Sequence, residues 1–168
     1  RITTSGDQHF AELVVLDKTD TTTNTITTLT STNGMVTFDA AIHNAVSTAP
    51  QSLSVAAAGD VLFSGELGET TSALGDLVIN TPTVTTFAKS VDAASLKTDV
   101  DTAHINVNAA TNKVTIQGGR ITTAGEQHYA ERVVLDNANH ATVLNTTNSP
   151  VAFDKAIVNA NTTAQDLT

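Results

Sequence analysis

Val36-Thr37-Phe38-Asp39-Ala40-Ala41-Ile42 sets an aromatic ring four residues ahead of an aliphatic side chain. The same spacing recurs at every other aromatic residue: Phe10 with Val14, Phe63 with Leu67, Phe87 with Val91, Tyr129 with Val133 and Phe153 with Ile157. Three of these patterns begin Val-x-Phe, at Val36, Val61 and Val151. Phe38 to Phe63, Phe63 to Phe87 and Tyr129 to Phe153 are 25, 24 and 24 residues. A unit of that size is too small to enclose a core of its own. It buries an apolar face only by stacking on its neighbours, which is the physics of a solenoid. A helical i, i+4 pair is the other reading of a four-residue gap. The composition opposes it, because Thr supplies 31 residues and Asn 13, both poor helix formers.

A longer repeat overlies the short one. Arg1-Ile2-Thr3-Thr4-Ser5-Gly6-Asp7-Gln8-His9-Phe10 returns as Arg120-Ile121-Thr122-Thr123-Ala124-Gly125-Glu126-Gln127-His128-Tyr129. Extended to Asp17 and Asp136, 13 of 17 positions are identical at an offset of 119. Val36–Ile42 matches Val151–Ile157 at an offset of 115, so the second copy is four residues shorter in the Thr-rich stretch after Lys18. A length change there predicts an exposed turn. The chain divides into residues 1–119, one superrepeat of about five coils, and residues 120–168, the first two coils of the next, in one continuous solenoid. Both ends fall inside the repeat pattern, which predicts a segment of a longer array with stackable edges.

Strands are placed by alternation, as in Ile105-Asn106-Val107-Asn108 and Val114-Thr115-Ile116. Leu53, Leu77 and Val143 each lie ten residues before an aromatic, which marks a second strand at a fixed phase of the coil. The expected fold is all-β: a parallel β-helix of about seven coils, from 168 residues at about 24 per coil. Phe38, Phe63, Phe87, Tyr129 and Phe153 are expected to point inward or cap the interior, with Ile42, Leu67, Val91, Val133 and Ile157 beside them. The competing fold is a tandem β-sandwich with the 119-residue unit as its domain. The second copy holds only 49 residues, too few to close a sandwich.

Composition narrows the function. A net charge of −9 opposes nucleic-acid binding, whose phosphates call for basic surface. The absence of Cys removes disulfides and Cys-based metal sites. No run of eighteen apolar residues exists, so no transmembrane helix and no membrane insertion are expected. His9 and His128, with Glu12 and Glu131 three residues on, invite a metal or acid–base reading. They occupy equivalent repeat positions about five coils apart, roughly 24 Å at ~4.8 Å per strand, so each reads as a surface residue beside an inward aromatic. His43, His104 and His140 have no repeat partner. Asp7, Asp17, Asp20, Asp60, Asp76, Asp99 and Asp101 read as solvated turn residues, since no EF-hand loop or calcium-binding nonapeptide is present. Glu66, Glu69 and Asp92 are the carboxylates on which a carbohydrate-cleaving β-helix would rest. Thr21–Thr30 suggests an ice-binding ladder, but its counterpart after Asn139 keeps few of the Thr. The expected catalytic, cofactor-binding and metal sites are therefore none.

The phrase Thr122-Thr123-Ala124-Gly125-Glu126-Gln127-His128-Tyr129-Ala130-Glu131-Arg132-Val133-Val134-Leu135 resembles the T-T-x-G-x-Q-x-Y-x-x-x-V-x-L phrase of filamentous-haemagglutinin-like bacterial surface adhesins. Thr3–Phe10 carries its first half, and Thr85-Thr86-Phe87-Ala88-Lys89-Ser90-Val91 is a shorter echo. The resemblance covers nearly the whole chain and weakens most over Asp99–Gly119. It implies right-handed coils in a secreted or cell-surface rod. The implied partners are neighbouring repeats of the same chain and a host or cell-surface glycan or protein. A carbohydrate-binding or carbohydrate-cleaving β-helix is the alternative, and an ice-binding Thr-rich solenoid the second.

Overall fold

The computed structural model describes residues 1–17, 26–46, 48–100, 111–138, 141–161 and 164–168. Lys18, Asp20, Thr21–Thr25, Asp101, His104, Ile105, Val107 and His140, all weighed above, lie outside the described residues. The chain winds as an all-β parallel solenoid of about six turns, and none of the described residues is helical.

Each turn lays down three short strands, one on each of three stacks. The first stack runs through Ile2–Thr4, Ile26–Ser31, Ser52–Ala57, Leu74–Asn80, the second half of Val91–Thr98, Gln127–Tyr129 and Val151–Phe153. The second runs through Gln8–Phe10, Val36–Phe38, Val61–Phe63, Val84–Phe87, Lys113–Ile116, Arg132–Leu135 and Ile157–Asn159. The third runs through Val14–Leu16, Ile42–Asn44, Leu67, the first half of Val91–Thr98, Arg120–Thr123, Ala141–Thr146 and Asp166–Leu167. Every pairing between these strands is parallel, so hydrogen bonds run along the axis and each side chain sits on its counterpart one turn away.

That register explains the spacing of Phe to aliphatic. Phe38 and Ile42 belong to consecutive strands on different stacks, and both point into the core at 1% and 0% exposure. Four residues carry the chain round a corner, not along a helix. In the second stack Phe10, Phe38, Phe63 and Phe87 are in register, with ring centroids 4.7, 5.2 and 5.6 Å apart and planes within 10° of parallel. Centroid separations of that size describe offset stacking, the favourable arrangement for parallel rings. Ile116 and Leu135 continue the rung. Val14, Ile42, Leu67, Val91, Ile121 and Leu144 form the facing ladder of the third stack. Phe153 is half-buried against the core, while Ile157, expected inside, is 37% exposed. It stands on the outermost rung of its stack, with Val133 on one side only. Val143 is likewise 39% exposed, and its neighbour Leu144 takes the inward position.

The long repeat departs from a whole number of turns. Phe10 reaches Ile116 in four turns through Phe38, Phe63 and Phe87. Tyr129, the repeat equivalent of Phe10, lies two stacks further on and pairs with Thr98 and Phe153. The 119-residue unit therefore spans four and two-thirds turns. Tyr129 stacks on Phe153 at 5.2 Å and begins a second aromatic column on the first stack, separate from the Phe10–Phe87 column. Ile121 and Val133 are displaced by one stack from Ile2 and Val14 in the same way.

The motif keeps its local conformation through this rotation. Thr4 Oγ1 donates to the Gly6 carbonyl at 2.7 Å, and Thr123 Oγ1 to the Gly125 carbonyl at 2.6 Å. Gln8 Nε2 donates to the Thr30 carbonyl at 2.8 Å, and Gln127 Nε2 to the Asn145 carbonyl at 2.9 Å. Thr-x-Gly-x-Gln is thus a corner unit. Its hydroxyl satisfies a carbonyl in the bend, and its buried amide satisfies one on the next turn, where backbone would otherwise be left unpaired.

Gly68 shows how closely the turns approach. Its φ is +69°, and a Cβ there would stand 2.2 Å from the Asp92 carbonyl oxygen on the next turn. Gly68→Ala is expected to lower stability by about 1–3 kcal/mol, because backbone must shift to admit the methyl. Denaturant melts measure it, and an unchanged midpoint would disprove the close packing.

Candidate functional site

Most polar side chains singled out above are used between turns. His9 Nε2 lies 2.6 Å from Asp39 Oδ2, and His128 Nε2 lies 3.1 Å from Asp154 Oδ2. Asp39 and Asp154 are themselves repeat equivalents, so the two copies carry the same clasp on different stacks. His43 Nε2 meets Glu69 Oε1 at 3.3 Å. Each is an ion pair when the imidazole is protonated. As exposed or half-exposed contacts they add little stability. Three of the described Asp residues serve the backbone. Asp7 Oδ1 accepts from Met35 N at 2.9 Å, Asp60 Oδ1 from Val84 N at 3.2 Å and Asp99 Oδ1 from Thr81 N at 2.8 Å. Asp76 accepts from the Ser95 hydroxyl at 2.7 Å, and Asp17 is exposed. Among the described residues no group of three or more His, Asp and Glu side chains is placed to hold a metal ion.

Of Glu66, Glu69 and Asp92, two are engaged by partners on neighbouring turns. Glu69 faces His43. Asp92 is 4% exposed and is held bidentately by Arg120, with contacts of 2.8 Å to Oδ1 and 2.6 Å to Oδ2. Hydrogen bonding to Asp92 raises the Arg120 pKa, burial opposes the rise, and the charges of Asp92 and Glu66 add to it. Arg120 heads the second copy of the long repeat and is 40% exposed along its side chain. Removing it leaves a buried carboxylate without its fork of donors. Arg120→Ala is expected to cost about 1–3 kcal/mol, and a loss of a few tenths in urea melts would show that water replaces the guanidinium.

Glu131 is the feature that the sequence did not expose. Its equivalent Glu12 lies on the surface, whereas Glu131 is 3% exposed. Glu131 follows Tyr129 at the corner leaving the first stack, beside Thr98 and Asp99 of the preceding turn. Thr98 Oγ1 donates to Oε2 at 3.0 Å, and Oε1 is buried with no hydrogen-bond partner. Burial, and secondarily the charge of Asp99, push the Glu131 carboxyl up to about 8 against the hydrogen bonds that favour its anion. Asp99 adopts a left-handed φ of 52°, which Asp tolerates better than most residues. A neutral buried acid is the physical consequence at the pH where an ordinary Glu is charged. With Asp99 2% exposed as well, the pair is sealed from any large substrate.

Every aromatic side chain faces the core or one of its outermost rungs, so no ring stands free on a flank as a stacking platform for sugar. The chain matches no protein-family model, no curated protein and no solved structure.

Proposed function

We propose that the chain is a non-catalytic rod or stalk segment of a large secreted or cell-surface adhesin-like protein. The observation that carries this reading is the use of side chains. Aromatic and aliphatic residues form ladders, and Glu69 and Asp92, two of the carboxylates weighed as catalytic, are engaged in turn-to-turn bonds. A stack of short, locally paired turns transmits position along its axis with each turn contacting only its neighbours. Adhesion to a glycan or protein would then belong to other regions, or to weak contacts multiplied by repetition.

The carbohydrate reading rests on Glu66 and Asp92, and the Arg120 clamp on Asp92 weighs against it. The ice-binding reading needs equivalent Thr on one plane, and equivalent positions of the long repeat lie on different stacks. In screens with acidic and neutral polysaccharides we expect no cleavage and no retention, and in ice-growth assays no inhibition. In the parent protein, excising one 119-residue unit should shorten the rod by roughly 22 Å at ~4.8 Å per turn and leave ligand binding intact. Cleavage lost in Asp92→Asn, or binding abolished by the excision, would replace the stalk with a functional surface.

A further inference from the structure

We infer that Asn33 is a site of spontaneous backbone modification gated by the stacking of the preceding turn. Asn33-Gly34 lies in the turn between Ile26–Ser31 and Val36–Phe38, with Asn33 exposed and Gly34 buried. Asn-Gly is the dipeptide in which the following amide reaches the side-chain carbonyl with least steric hindrance. Here the glycine is imposed by packing. A Cβ on Gly34 would stand 2.4 Å from Asp7 Oδ1 and 2.6 Å from Asp7 N of the preceding turn. The same approach that requires glycine therefore creates the labile pair.

The fold also holds the reacting atom. Gly34 N donates to Ser31 Oγ at 3.0 Å, and Ser31 Oγ donates to the Gly6 carbonyl at 2.8 Å. The Gly34 carbonyl accepts from Gly59 N at 2.9 Å. Gly34 is thus held on both sides of its Cα, its N–H through Ser31 to the turn before it and its carbonyl directly to the turn after it. For ring closure, Gly34 N must lose its proton to solvent base and attack Asn33 Cγ. The N–Cγ bond forms, the Cγ–Nδ2 bond breaks, and ammonia leaves after taking a proton back from solvent. Water then opens the succinimide at either carbonyl, giving Asp or isoaspartate. While Gly6 is seated, Ser31 occupies the Gly34 N–H and keeps its plane from turning toward Cγ. When the preceding turn lifts, Ser31 loses its anchor on the Gly6 carbonyl, and its hydroxyl is released to rotate away from the Gly34 N–H. Asn33 would then record chemically how long that pair of turns has spent apart.

The test is peptide mapping for deamidation and isoaspartate after incubation at mildly alkaline pH, for the folded chain and for the same chain in urea. Asn33 should convert fastest of the Asn residues in urea and at least about tenfold more slowly when folded, as protection by local structure requires. Ser31→Ala should bring the folded rate close to the rate in urea. Ser31→Thr retains a hydroxyl at the same position and should keep the protection. Equal rates in the folded and unfolded wild type, or a folded Ser31→Ala as slow as wild type, overturns the gate. If Ser31→Ala does not fold, hydrogen exchange at the wild-type Gly34 amide decides: slow exchange supports the clamp and exchange at the rate of an open turn removes it.

Discussion

Phe63→Ala should lower the unfolding free energy by about 3–5 kcal/mol. Phe63 is 0% exposed and lies between Phe38 at 5.2 Å and Phe87 at 5.6 Å. Removing the ring leaves a slot that its neighbours cannot fill, because each is held in register by its own strand pairing. A site that cannot collapse pays for both the lost transfer free energy and the cavity. Phe63→Leu keeps most of the volume and should cost less than about 1.5 kcal/mol. Denaturant melts of the two variants settle the matter: equal losses would mean that the aromatic column is not a stacked core.

Glu131 should make the protein less stable as pH rises from about 4.5 to about 8. Its folded pKa is about 8 and its ordinary value is 4.5. Between those limits the folded state keeps a proton that the unfolded state has released. Stability therefore falls with increasing pH across the window, by up to roughly 1.4 kcal/mol per pH unit. Below the window both states are protonated, and above it both are ionised with the burial penalty fully present. Glu131→Gln has the shape of the neutral acid and no proton to lose. Its stability advantage over wild type should be small near the acid limit and grow to a few kcal/mol at the alkaline one. Taking the difference of the two curves isolates the contribution of Glu131 from that of every other group. Parallel curves would show that the carboxyl is solvated.

The winding of the chain was legible because each coil repeats the aromatic, the corner and the aliphatic residue in the same order. Phe38 with Ile42 and Phe63 with Leu67 announce two inward positions separated by a bend, and the structure places them so. The phase of the long repeat was not legible. The Thr-x-Gly-x-Gln unit specifies a corner but not which corner, since all three stacks use the same parallel pairing. Phase is set by the lengths between, and those vary: Phe87 to Ile116 is 29 residues and Ile116 to Leu135 is 19. The burial of Glu131 was hidden for a related reason. Glu12 and Glu131 have nearly the same flanking sequence, but the turns against them differ. Asp92 was picked out as a carboxylate, and its partner Arg120, 28 residues away, declared itself only through the Val91–Ile121 register.

The fractional winding has a mechanical consequence. A three-sided rod whose sides differ in composition is stiffer against flexing toward some sides than others. With four and two-thirds turns per unit, each recurrence of the 119-residue sequence presents a given side two thirds of a revolution further round. Three recurrences make fourteen whole turns, three times four and two-thirds, before the pattern realigns. Weak directions in successive units then point three ways and average out, as crossed grain does in plywood. Wherever the unit recurs, the shaft resists flexing almost equally in all directions. In the proposed stalk, a load from any angle would then meet the same resistance.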